Sequence, residues 1–244
     1  MSPATPCQAC PLRQKPAFVP MSSDELDFMQ RIKVGELTVA PGTVVMMEGQ
    51  ATSRLYTALS GMGLRYKTLE DGRRQVLNFV FPGDLVGLQS ALMKEAEHSI
   101  EATTEMTFCL FDRGSLWKIY HTQPERGYSL TWASAVEEHF LGEALATIGQ
   151  RDAAERLAWA LVRIHARLKA LGLEREGAVP FPYRQQDLAD ALGLSLVHTN
   201  KVLARLRQMG LAHWSGGWLA LPQPEMLAEL GLTEPDPVQA RPLF

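Results

Sequence analysis

Apolar positions change their rhythm twice along the chain. From Ile32 to Leu116, short β-rich stretches such as Thr43-Val44-Val45-Met46 and Gln75-Val76-Leu77-Asn78-Phe79-Val80 lie between turn signals at Pro41-Gly42, Glu48-Gly49, Ser60-Gly61, Asp71-Gly72 and Pro82-Gly83. That spacing predicts antiparallel strands closing into a sandwich or small barrel, which encloses either a ligand cavity or a plain structural core. After Pro124 no proline occurs until Pro180, and Leu130, Val136, Phe140, Leu141, Ala144, Leu145 and Ile148 recur at helical spacing. The small residues Ala133, Ala144 and Ala146 on or beside this stripe let a second helix approach closely, so the Leu130–Ile148 region reads as a homodimer seam. Gly149-Gln150-Arg151-Asp152 interrupts the pattern as a hinge, and Asp152 with Glu155 is expected to cap a new helix running through Leu171.

A third rhythm follows. Gln185–Leu192 and Ser195–Gln208 read as two helices broken at Gly193, with Ser195 as the cap of the second. Leu188, Ala189, Leu192, Leu194, Val202 and Leu206 supply the shared core. Ser195, Val197, His198, Asn200, Lys201 and Arg205 are then the candidate DNA-binding residues at the start and on the exposed flank of the second helix. Asn can pair with adenine, Lys with guanine or phosphate, and Val with a thymine methyl group. Leu211-Ala212-His213-Trp214, Ser215-Gly216-Gly217 and Trp218-Leu219-Ala220-Leu221 add strand, turn and strand, the wing of a winged helix. Trp214 and Trp218 are expected to pack the wing and not to stack on bases.

Composition sharpens this picture only when read by segment. The 244 residues suit about two domains, and the formal charge of −3 argues for no polyanion partner of the whole chain. Yet residues 1–150 carry 13 Lys+Arg against 17 Asp+Glu, residues 151–207 carry 10 against 6, and residues 208–244 carry 1 against 4. A basic segment between acidic ones suits phosphate contacts, or else a solvated helix face. No apolar run approaches the roughly 18 residues that would span a bilayer, and the first twenty residues lack the apolar stretch of a secretory signal, so the expected location is cytoplasmic. Three cysteines, Cys7, Cys10 and Cys109, make a disulfide framework an unsuitable reading and point to metal binding or redox sensing. A thiol oxidoreductase would want its Cys-x-x-Cys at a helix start within a βαβ unit, and no nucleophile elbow, phosphate loop or zinc-protease His pair is present, so no enzyme is expected. A β-roll module on a kinase or channel would lack the winged helix.

The order of β-roll, long helix, hinge and winged helix-turn-helix resembles the bacterial CRP/FNR family of transcription regulators across essentially the whole chain. The likeness is carried by Phe81-Pro82-Gly83-Asp84-Leu85-Val86-Gly87, by Arg151-Asp152-Ala153-Ala154-Glu155-Arg156-Leu157 and by Gln186–Gly210. It implies an α+β chain with a cyclic-nucleotide-binding-like sensor at 1–125, a dimerisation helix and hinge at 126–150 and a DNA-binding domain at 151–244. The implied partners are an inverted repeat in double-stranded DNA and RNA polymerase, with no membrane. Cyclic-nucleotide sensors of the family place a Glu soon after the Gly-Asp-x-x-Gly segment and an Arg-Ser further on; here Leu88 and His98-Ser99 stand there, so cyclic AMP is not the expected effector. Family members commonly show Glu-x-x-Ser-Arg or Glu-x-x-Gly-Arg in the recognition helix, against Val197, Asn200 and Lys201 in this chain. Members of the FNR branch hold a 4Fe-4S cluster with an N-terminal cysteine cluster and a later β-roll cysteine, which makes Cys7, Cys10 and Cys109 the implied metal ligands. One cysteine of that set is missing, Pro16 standing near its place, so any fourth ligand would be a carboxylate, histidine, water or small thiol. The alternative is a cluster-free regulator governed by abundance, thiol oxidation or another small ligand.

Overall fold

A computed structural model describes residues 4–234 and 239–244. It divides into two compact units: Met1–Gly72 with Leu77–Glu138 and Ala240–Phe244, and Arg73–Val76 with His139–Gln239. The first unit begins with two 3-10 turns, Cys7–Ala9 and Pro11–Gln14, and the helix α1, Ser23–Ile32. Ser22 accepts from the Glu25 amide while the Glu25 carboxylate accepts from the Ser22 amide, so two of the unpaired N–H groups at the start of α1 are satisfied reciprocally. The strands follow: β1 (Lys33–Val39), β2 (Val44–Met46), β3 (Arg54–Ser60), β4 (Gly63–Thr68), β5 (Arg74–Val80), β6 (Leu85–Val86), β7 (Ser99–Ala102) and β8 (Met106–Asp112), with the short helix α2, Leu88–Met93, between β6 and β7.

They form two four-stranded sheets, β1-β8-β3-β6 and β2-β7-β4-β5; the β1–β8, β8–β3, β3–β6, β2–β7 and β7–β4 pairs are antiparallel, as the turn spacing predicts. One core lies between the sheets, where Met46, Ala58, Val80, Val86, Ile100, Met106 and Phe108 are buried. Another lies under α1, where Phe28, Met29, Ile32, Leu55, Cys109, Phe111, Ile119, Leu130 and Phe244 pack together. Gly61 shows how tightly the roll closes: at φ +83° a Cβ there would stand 2.1 Å from the Glu105 carbonyl oxygen.

After α3, Leu116–Thr122, the helix α4 runs from Pro124 to Gln150, and the division between the units falls within it. Leu130 is not part of a seam, because it is 1% exposed inside the first unit's core. Phe140 is also committed within its own unit, its ring stacked 6.3 Å from that of Trp159. Leu141 and Leu145, four residues apart, remain exposed, Leu145 at 74%. The apolar stripe of α4 therefore divides into buried and exposed positions, which its periodicity does not separate.

In the second unit α5, Ala153–Ala170, starts at Asp152, whose carboxylate accepts from the amides of Ala154 and Glu155 at 2.8 and 3.0 Å. The expected cap is thus in place. Strand β9, Ala178–Pro180, precedes helices α6, Gln185–Leu192, and α7, Leu196–Gln208; β10, His213–Ser215, and β11, Trp218–Ala220, come next, and α8, Pro224–Leu230, closes the unit. The wing has the order β10-β11-β9, so the sequence reading missed its third strand.

Candidate nucleic-acid interface and cysteine cavity

Gly193 sits in the left-handed region at φ +64°, which ends α6 and lets the chain turn, and the Ser195 hydroxyl then accepts from the His198 amide at 3.2 Å. Thr199, Val202 and Leu206 face inward and are buried with Leu188, Ala189 and Leu192, which leaves the opposite flank of α7 free. Ser195, Val197, His198, Asn200, Lys201 and Arg205 are all exposed there, Val197 at 66%. Residues 197, 201 and 205 are four apart and line one stripe; residues 198 and 200 flank it. Arg207, in the last turn, adds a basic group that the sequence reading passed over. Trp214 donates from its indole to the Phe181 carbonyl at 3.2 Å and packs 4.6 Å from the Phe181 ring, so it holds the wing as expected. Trp218 is only partly covered.

In the first unit the three cysteines share one cavity without being grouped as a metal-holding set. Cys7 and Cys10 on the N-terminal turns and Cys109 on β8 all line one cavity of about 30 Å³, room for about two waters, walled by Leu12, Met29 and Phe111 among others. The turns are tied down by polar bonds from two elements: the Cys7 amide donates to Gln30 Oε1 on α1 at 2.7 Å, and the Thr5 amide donates to Glu36 Oε1 on β1 at 2.9 Å. Lys33 Nζ, its side chain 3% exposed, donates to Glu36 Oε1 at 2.8 Å and to the Thr5 carbonyl at 2.6 Å. Burial pushes the Cys109 thiol up to about 11 against the pull of the Lys33 ammonium, and burial raises Cys7 as well. Neither Lys33 nor Gln30 carried a sequence signal, since each acts only through its tertiary position.

Three soft thiols are the donor type an iron–sulfur cluster takes, but a cavity of about 30 Å³ is smaller than a four-iron cluster, so holding one would require the N-terminal turns to move away from β8. Glu36, the carboxylate opposite Cys109 in the β1–β8 register, is engaged by Lys33. Among the described residues no three His, Cys, Asp or Glu side chains stand grouped to hold a metal ion, so the cavity is not a preassembled site.

The positions that hold a cyclic nucleotide in the family's sensors are occupied differently. Leu88 packs on the apolar core, and the Ser99 hydroxyl accepts from the Glu48 amide at 3.0 Å. Burial, with the charges of Arg65 and Lys67, holds His98 at about 4, so it is neutral at physiological pH. A depressed His pKa favours unfolding in acid, because the unfolded chain takes up the proton near 6.5 and the folded one only near 4. The melting temperature is therefore expected to fall as pH drops from about 6.5 to about 4. The difference in melting between the wild type and His98→Gln should change over this window; an unchanged difference would contradict a buried neutral ring.

Two family models match the chain: a cyclic nucleotide-binding domain over residues 36–123 and a Crp-like helix-turn-helix domain over residues 155–230. The chain is 28% identical over 213 residues to the transcriptional activator protein FnrL of Cereibacter sphaeroides, covering 86% of this chain and 85% of that protein. It is 30% identical over 179 residues to the nitrogen fixation regulation protein FixK of Rhizobium meliloti, covering 71% and 76%. The structure of FixK2 from Bradyrhizobium japonicum superimposes with a TM-score of 0.73 at 27% identity, covering 80% of this chain and 96% of that one. The fold and these relatives define a DNA-binding transcription regulator built on a β-roll, a long helix and a winged helix-turn-helix. The chain belongs to the CRP/FNR family. No helix among the described residues is long and apolar enough to cross a membrane.

Proposed function

We propose that the chain acts in the cytoplasm as a homodimeric regulator that reads an inverted repeat through α7 and works on RNA polymerase, and that its sensor unit reads oxygen or redox state through a 4Fe-4S cluster. Cys7, Cys10 and Cys109 would hold that cluster, with a fourth ligand that is not a protein thiol. The observation that carries the sensing proposal is the convergence of the three thiols, two from the N-terminal turns and one from β8, on one cavity. When bound, the cluster supplies a redox-active iron centre. The chain's own contribution is to fix the N-terminal turns against β1 and α1 through Lys33, Glu36 and Gln30, and to keep the thiols in a mainly apolar wall. Base reading by Asn200 and Lys201, with Val197 and His198 beside them, is supported by their common exposure on one flank of a capped helix. Cyclic AMP is not the effector in this account, since neutral His98 brings no positive charge to a phosphate and apolar Leu88 no acceptor to a ribose.

Anaerobic purification from iron-replete cells, with iron and sulfide analysis, tests the sensing proposal. A brown protein that bleaches in air is expected, and Ser in place of Cys7, Cys10 or Cys109 should remove most of the iron. A colourless, iron-free anaerobic protein that still binds its operator would overturn the cluster and leave the DNA-binding account standing.

A further inference from the structure

The segment Ala240–Phe244 belongs to the sensor unit, although it follows the DNA-binding domain in the chain and lies outside both matched family regions. Its attachment is specific. Arg241 forms a parallel bridge with Phe18: its amide donates to the Ala17 carbonyl at 3.0 Å, and its carbonyl accepts from the Val19 amide at 2.9 Å. The Arg241 guanidinium donates to the Gly83 carbonyl at 2.6 Å and to Asp84 Oδ1 at 2.5 Å, and lies 5.7 Å from the centre of the Phe18 ring. Gly83 is required there, because a Cβ on it would stand 2.1 Å from Phe18 Cζ. Two residues further on, the Leu243 carbonyl accepts at 2.9 Å from buried Arg126, which is itself paired with Glu25 at 2.6 Å. Leu243 and Phe244 are buried, and the Phe244 ring meets Phe111 edge-on at 6.0 Å. Both residues line the cavity that Cys7, Cys10 and Cys109 share.

We infer that the sensor unit carries a peptide-binding site for an Arg-Pro-Leu-Phe segment, that the chain's own residues 241–244 occupy it, and that this occupancy closes the cysteine cavity against reagents. The recognition has the parts of strand addition: main-chain bonds at residues 17–19, a charged and aromatic pocket for the Arg, and an apolar pocket for the Leu-Phe pair. The segment is held by its own main-chain and side-chain bonds and by the burial of Leu243 and Phe244, so removing any of these contacts should shift the site toward an open state. The inference does not depend on what the thiols bind.

The test uses the iron-free, reduced full chain, with alkylation by iodoacetamide followed at each cysteine by peptide mass spectrometry. Arg241→Glu and Phe244→Ala should each raise the Cys109 rate about tenfold or more over the wild type. In a chain lacking residues 240–244, the free peptide Ala-Arg-Pro-Leu-Phe at millimolar concentration should restore protection, and Ala-Glu-Pro-Leu-Phe should not. Cys109 rates equal to the wild type in both point variants, or no protection by the free peptide, would overturn the inference. Hydrogen exchange on the unaltered protein guards against misfolded variants: slow exchange of the Val19 and Arg241 amides supports the docked segment, and exchange at the unprotected rate overturns it.

Discussion

Leu145→Glu is expected to split the dimer while leaving each protomer folded. Leu145 and Leu141 are exposed on α4, so a carboxylate at 145 costs the isolated chain little; in a helix-on-helix seam the same group would be buried without a partner. That penalty is about 2–5 kcal/mol, which weakens self-association by roughly 30-fold to several thousand-fold. Operator affinity should fall with it, since two half-sites need two linked reading helices. Sedimentation equilibrium at micromolar concentration checks the result. An unchanged dimer for both Leu141→Glu and Leu145→Glu would show that the proposed seam lies elsewhere. Leu130→Glu makes the contrast: buried in the sensor core, it should unfold that unit and not merely separate protomers.

The second large effect separates reading from positioning on α7. Lys201→Ala and Asn200→Ala should each cost about 1–3 kcal/mol on the cognate operator and much less on scrambled duplex, because base-edge bonds depend on sequence and phosphate bonds do not. Arg205 lies one turn beyond Lys201 on the same stripe. Assigned to the DNA backbone, it should when changed to Ala weaken both duplexes similarly and lower the slope of log affinity against log salt by about one. Salt-series binding curves for the three variants on the two duplexes check this; equal losses on both duplexes for Lys201→Ala and Asn200→Ala would place the reading face elsewhere.

The helix-turn-helix could be read from the sequence because its signals are local. Gly193 stops one helix, Ser195 starts the next, and the inward set from Leu188 to Leu206 repeats at helical spacing, so α6 matches its expected bounds and α7 begins at the residue after its cap. Asp152 and Glu155 mark the start of α5 by the same kind of short-range chemistry. Ser22 and Glu25 mark the start of α1 in the same way. What stayed hidden is tertiary. Nothing local distinguishes Leu130, which enters a core, from Leu145, which stays exposed, since both satisfy the same period on one helix. The cysteine spacing likewise pointed to chemistry without its setting: Lys33 beneath the N-terminal turns and Phe244 in the cavity wall are joined to Cys109 only by folding. The segment Arg241–Phe244 has no periodic signal, and its place follows from the Asp84 and Arg126 partners it finds.

The central claim, a twofold regulator reading DNA through α7, is tested most directly by selecting duplexes that the full chain binds from a random-sequence pool. The account predicts an enriched inverted repeat with half-site centres about one helical turn, or roughly 34–36 Å, apart. In the same selection, Lys201→Ala should lose the preference at one symmetric pair of positions. Enrichment of no sequence, or of a single asymmetric site, would contradict it.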